Sequence, residues 1–176
     1  MRDLRVKWAA CAAAVLAAGV LLGGGCTGYR LGSMLPPGID TIFVVTFENR
    51  TDQPLIEAET TASTIARFQR DGSLRVAASA ETADAVLRVV LEEYTLAPLA
   101  FDDVRTTSAT EYRATIRARF VLTERATDTV IVDSPAVYGE ASFDLRGDLS
   151  SSKRDVLPEV SEDLARNIVE QVVETW

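Results

Sequence analysis

From Glu111 to Leu122 the chain alternates almost without interruption. Tyr112, Ala114, Ile116, Ala118, Phe120 and Leu122 are apolar, and Glu111, Arg113, Thr115, Arg117 and Arg119 lie between them. A period of two predicts a half-buried antiparallel strand. The turn at Ala126 to Asp128 is short, so Thr129 to Phe143, a less regular run interrupted by Pro135, is expected to return as its hairpin partner. Earlier, Thr41 to Phe47 (TIFVVTF) is apolar on both faces and reads as a buried central strand. Ser73 to Ala77 suits a short strand. Ala83 to Thr95 suits a longer one, with Ala85, Leu87, Val89 and Leu91 on one face and Pro98 as its stop.

Two segments carry helical spacing. After a turn at Glu48 to Gln53, with Asp52 or Gln53 as cap and Pro54 in the first turn, Leu55, Ala58, Ala62, Ile65 and Ala66 recur up to Asp71-Gly72, with Phe68 near the same stripe. From Ser150 to Trp176 a second helix has cap candidates at Ser150 to Ser152 and Pro158 in an early turn. Val160, Leu164, Ile168 and Val172 form one ridge of it, and Leu157, Ala165, Val169 and Val173 the next. The order β-α-β-β-β-α predicts an α+β fold with two helices packed on one face of a mostly antiparallel sheet.

The N-terminus belongs to a different physical class. Arg2, Arg5 and Lys7 precede an apolar run from Trp8 to Leu22, shorter than the ~20 residues a membrane-crossing helix needs. It ends in Gly23-Gly24-Gly25 before Cys26, the shape of a lipoprotein signal peptide. Leu22 stands one position further from the cysteine than is usual, with Gly23 in its place. The competing reading is a plain secretory signal with an incidental cysteine. Cys11, the only other cysteine, lies inside the segment to be discarded, which would leave a lone thiol in an oxidising compartment. Acylation of Cys26 removes that oddity. The expected division is therefore a signal peptide over 1–25, a lipidated tether over 26–40 and one domain over 41–176. Thr27 rather than Asp follows the cysteine, which points to the outer membrane, on the periplasmic side.

Charge and composition narrow the chemistry. Of 176 residues, 18 are Lys or Arg, 26 are Asp or Glu and none is His. Cleavage before Cys26 removes three basic residues and one acidic residue, leaving 15 against 25, or −10. An acidic chain is a poor match to nucleic acid. Without His, the commonest general base and metal ligand are missing. No G-x-S-x-G elbow or phosphate loop is present, so neither an enzyme nor a cofactor is expected. The carboxylate pairs Glu92-Glu93 and Asp102-Asp103 read as solvated surface, since neighbours on a strand face opposite sides. Positive charge is the informative feature. Arg113, Arg117 and Arg119 share the polar face of the alternating strand, either as edge protection and solubility or as contacts to an anion or a polar protein lumen. Arg105, Lys153 and Arg154 are further candidates, the last two beside a helix N-terminus that attracts anions.

Four blocks together resemble the LPS-assembly lipoproteins of the LptE type. They are Cys26-Thr27-Gly28-Tyr29-Arg30-Leu31, Thr46-Phe47-Glu48-Asn49-Arg50-Thr51, Thr110-Glu111-Tyr112-Arg113 and Gly147-Asp148-Leu149-Ser150. The likeness spans the mature chain, with Thr27 inserted into the family's Cys-Gly-Tyr. The resemblance implies two helices on a four-stranded sheet, an outer-membrane lipid anchor, and an LptD-like β-barrel translocon as partner. The protein would plug that barrel and help deliver lipopolysaccharide. It also implies that Arg105, Lys153 and Arg154 meet the phosphates of the glycolipid; Arg113, Arg117 and Arg119 are the next candidates from their charge alone. An envelope lipoprotein that activates a peptidoglycan synthase or belongs to a secretion pore is the alternative.

Replacing Cys26 by Ala should leave a precursor that retains residues 1–25. Intact-protein mass spectrometry checks this, and a mature N-terminus elsewhere, without lipid, contradicts it.

Overall fold

The structure is a computed structural model and describes residues 38–101, 109–145 and 148–174. Cys26, the signal segment and Arg105 lie outside these residues. The element order is β1 (Thr41–Val44), β2 (Glu48–Asn49), α1 (Ile56–Asp71), β3 (Arg75–Val76), β4 (Ala85–Phe101), β5 (Ala109–Glu124), β6 (Val130–Asp144) and α2 (Leu149–Glu174).

The α+β expectation holds, but the sheet is not four-stranded and antiparallel. It has six strands in the order β3-β1-β4-β5-β6, with β2 also paired to β4. β1 runs parallel to both β3 and β4, and β2 runs parallel to β4. Only β4-β5-β6 is antiparallel. β3 lies within the short strand expected over Ser73 to Ala77, whereas β2 falls where a turn is expected and at two residues is too short to leave a periodic signal. The chain leaves the sheet between β1 and β2 because the Phe47 amide donates to Thr61 Oγ1 of α1 at 3.0 Å instead of to a strand. At the start of the same region Asp84 ties β4 to β1. Its Oδ2 accepts from the Thr41 hydroxyl at 2.7 Å and from the amides of Thr41 at 2.9 Å and Asp40 at 3.1 Å.

α1 starts later than expected and buries a different face. Ile56, Thr60, Thr61, Thr64 and Phe68 are buried, whereas Ala58, Ala62 and Ala66 are exposed and Leu55 is 73% exposed. A buried threonine face is affordable because each hydroxyl bonds within the helix: Thr60 to the Ile56 carbonyl, Thr61 to Glu57 and Thr64 to Thr60. The methyl groups are then free to pack. No Asp52 or Gln53 side chain caps the helix. Asn49 organises the entry instead, accepting from the Thr51 amide and hydroxyl and donating to the Gln53 carbonyl and Glu57 Oε2. Gly72, at φ 77°, closes α1 by donating its amide to the Phe68 carbonyl.

β4 runs through Pro98 to Phe101. Beyond Leu91 it pairs only with β5, so a residue without an N–H is tolerated on its open side. Pro135 sits where the β5-β6 register slips between Ala118 and Phe120. Pro158 is the tenth residue of α2, not an early-turn residue, and its ring removes the bond to the Arg154 carbonyl. The cap of α2 is Asp148, whose Oδ1 accepts from the Ser151 amide at 3.0 Å and Oδ2 from the Ser151 hydroxyl at 2.7 Å.

α2 covers the long edge strand β6. Gly139 of β6 meets it so closely that a Cβ there would lie 2.6 Å from Leu164 Cβ and 2.6 Å from the Val160 carbonyl oxygen. Three polar side chains at helical spacing engage β6 along this line. Asp163 Oδ2 accepts the Glu140 amide at 2.9 Å, Asn167 donates to the Tyr138 carbonyl at 2.7 Å, and Gln171 Oε1 accepts the Ser134 hydroxyl at 2.7 Å. The ridge Val160, Leu164, Ile168 and Val172 is buried as expected, together with Ala165 and Val169.

Alanine in place of glycine usually strengthens a strand. At Gly139 the sign should invert, with Gly139→Ala costing ~1–3 kcal/mol through forced backbone shifts. Denaturant titration reads this, and an unchanged midpoint means α2 does not seat on β6. A second expectation concerns acid. Hydrogen bonding from Thr41, and secondarily the nearby amides and Arg125, hold the Asp84 carboxyl below its ordinary 3.8, against a desolvation effect that opposes them. Its contribution is complete above the ordinary value and is lost as pH falls through the lowered one. Asp84→Asn should therefore flatten the stability loss below pH 3.8; an identical acid profile would contradict it.

Candidate functional site

The sheet has two unlike faces. One is packed on α1 and α2 through Leu87, Leu91, Ile116, Ala118 and Phe120. Arg113, Arg117 and Arg119 alternate with these buried positions and so occupy the opposite face, which no helix of the described residues covers. β5 has a strand on each side, so these arginines do not protect an edge.

Each also has a carboxylate beside it. A β-bulge between Leu91 and Glu93 inserts Glu92 as an extra residue in β4. Glu92 Oε2 lies 3.2 Å from Arg117 and Oε1 lies 3.2 Å from Arg119. Glu93 pairs opposite Arg117, so both carboxylates are on the arginine face. The expectation that Glu92 and Glu93 face opposite sides fails because the bulge breaks strict alternation. Arg113 has a looser partner in Glu140, at 3.8 Å. The N-terminus of α2 is likewise already served by an anion, the Asp148 carboxylate, which hydrogen bonding to Ser151 keeps below its usual range.

Lys153 and Arg154 point to different surroundings. Lys153 Nζ sits 5.5 Å from the ring centre of Tyr94, a cation–π contact of ~0.5–1 kcal/mol at such a half-exposed site. Arg154 is exposed and makes no ion pair among the described residues. Arg105 lies outside the described residues. Of the three predicted cations the described residues therefore place only Lys153 and Arg154. Tyr112 and Phe143, paired directly across β5 and β6, stack at 5.8 Å, and Leu99 and Phe101 are exposed near the end of β4. A shallow cleft between β6 and α2, lined by Phe143, Asp144, Asp155 and Glu159, is too acidic for phosphate. Among the described residues no cluster suits a metal, and no helix is long and apolar enough to cross a membrane.

Tyr94 and Glu92 were not singled out as site residues by sequence reasoning. Their signal was present as a phase change: apart from Val86, the buried positions of β4 up to Leu91 are odd, whereas Tyr94 and Leu96, partly buried against the core beyond the bulge, are even.

A family model described as lipopolysaccharide-assembly, LptE, matches residues 39–172. The chain belongs to the LptE family. The family is one of lipopolysaccharide assembly. Among curated proteins none matches the chain in sequence. The fold of this LptE-family chain is similar to that of uncharacterized lipoprotein B from Nitrosomonas europaea, with a TM-score of 0.54, 13% identity and coverage of 85% of this chain and 92% of that one. A minor lipoprotein from Acinetobacter baumannii is also similar in fold, with a TM-score of 0.50, 14% identity and coverage of 80% and 95%.

The Tyr94 hydroxyl is buried with no hydrogen-bond partner among the described residues, and burial raises its pKa. Tyr94→Phe should therefore be neutral or stabilising by up to ~1 kcal/mol, because no bond is lost and a desolvation cost disappears. A loss of stability of that size in thermal unfolding would show that the hydroxyl has a partner.

Proposed function

We propose that this LptE-family chain is an outer-membrane lipoprotein, anchored through Cys26 on the periplasmic side, that assembles with an LptD-like β-barrel and plugs it. It helps pass lipopolysaccharide to the outer leaflet. The observation that carries this reading is the family match, which covers nearly all of the domain. The surface chemistry supports it. The helix-free face of the sheet is polar and internally charge-paired, compatible with the polar lumen of a large barrel. The long edge β6 is covered by α2, so the domain offers that lumen a finished wall.

Detergent extraction of outer membranes carrying a tagged full-length chain tests the assembly. Recovery of a β-barrel protein supports the reading. Recovery of a peptidoglycan synthase or a secretin without a barrel overturns it.

For the ligand, Arg154 and Lys153 are the first candidates and Arg105 the third, with Arg113, Arg117 and Arg119 held back by their carboxylate partners. Each charge-assisted phosphate contact is worth ~1.5–3 kcal/mol. Replacing Arg105, Lys153 and Arg154 together by Glu should weaken lipopolysaccharide binding by about tenfold or more, since ~1.4 kcal/mol is one decade. Titration of purified variant and parent decides it, and equal affinity removes these residues from the site.

A further inference from the structure

The arrangement around Glu92 is that of an anion already bound. Arg117 and Arg119 are two residues apart on β5 and project from one face, so their side chains converge on a single group. One guanidinium takes each carboxylate oxygen, at 3.2 Å in both cases. The Glu92 side chain is 25% exposed, less than the 42% and 43% of the two arginines around it. Phosphate oxygens accept from guanidinium groups in the same way, with similar distances. Regular alternation after Leu91 already sets Glu92 on the helix-free face, and the bulge brings Glu93, opposite Arg117, to the same face.

We propose that Arg117 and Arg119 form a phosphate-binding pair that the Glu92 carboxylate holds closed, so that Glu92 decides whether the helix-free sheet face binds anions. With Glu92 in place the face is charge-compensated and passes over phosphate groups. Without it, Arg119 has no carboxylate within ion-pair distance among the described residues, and Arg117 keeps only Glu93, opposite it on β4. The inference rests on this geometry alone and does not depend on lipopolysaccharide being the ligand.

Inorganic phosphate is the probe, titrated into the folded domain while the arginine Nε–H signals are followed by NMR. A site held by its own carboxylate has its apparent affinity lowered by the fraction of time it stands open, roughly several-fold for an exposed ion pair. Glu92→Gln should therefore bind phosphate about three- to fivefold more tightly than the parent, with the shifts confined to Arg117 and Arg119. Glu92→Ala, which removes the carboxylate by a different route, should give the same gain. Adding Arg117→Gln should abolish it, and Glu140→Gln, which touches only the partner of Arg113, should leave parental binding. A second arm uses vesicles containing phosphatidic acid. A gain with both probes supports recognition of the phosphate group itself. A gain with vesicles alone signals diffuse surface attraction and overturns the proposal, as does equal phosphate binding by parent and both Glu92 variants, or a gain that survives Arg117→Gln.

Discussion

The contact on which the structure depends is the seating of α2 on β6 at Gly139. A hydrogen in place of a side chain lets the helix backbone approach to a distance that a Cβ would forbid. At that distance Asp163, Asn167 and Gln171 reach β6 groups that the β5 ladder leaves unpaired. An exposed fifteen-residue edge strand is a template for unwanted pairing, and here a helix of the same chain occupies it. The same approach buries Val160, Leu164 and Ile168 against the sheet. Packing and polar satisfaction thus come from one close contact.

That arrangement also determines which surfaces remain for function. With both helices on one side, the other face of the sheet carries the arginines, and their charge is met from within. Glu92 serves two of them, Glu140 a third, and Asp148 plays the corresponding part at the start of α2. Inside a barrel lumen, unpaired charges would need partners supplied by the wall. A face that balances its own charges can slide into such a space with little desolvation left uncompensated. The less balanced region is the Lys153 and Arg154 end, beside Tyr94 and the Tyr112–Phe143 stack.

How much of this was legible in the sequence differs by element. β5 and α2 were, because each repeats one period over many residues. The ridge of Val160, Leu164, Ile168 and Val172 is buried as its spacing requires. α1 misled on its face because threonine reads as polar in a pattern, although in a helix its hydroxyl can return to the preceding turn and leave a methyl for the core. β3 was legible as a short apolar run, but β2 is too short to carry any period, and neither shows its parallel pairing in the sequence. The bulge at Glu92 was legible only as a change of phase between Leu91 and Tyr94, and it reverses the inference that adjacent carboxylates diverge. Site residues were harder still. Sequence reasoning grouped cations by type, whereas the fold decides which of them already have an anion beside them.

The account holds that the domain is complete before it meets any partner, with β6 sealed by its own helix. Amide hydrogen exchange at Glu140 in the isolated domain tests this most directly, because that N–H leaves the sheet edge and is satisfied only by Asp163. The account predicts slow exchange, in step with the core amides, and acceleration in Asp163→Ala. Exchange at the rate of an unstructured peptide in the parent would contradict it, and would mean that α2 settles on the edge only on assembly.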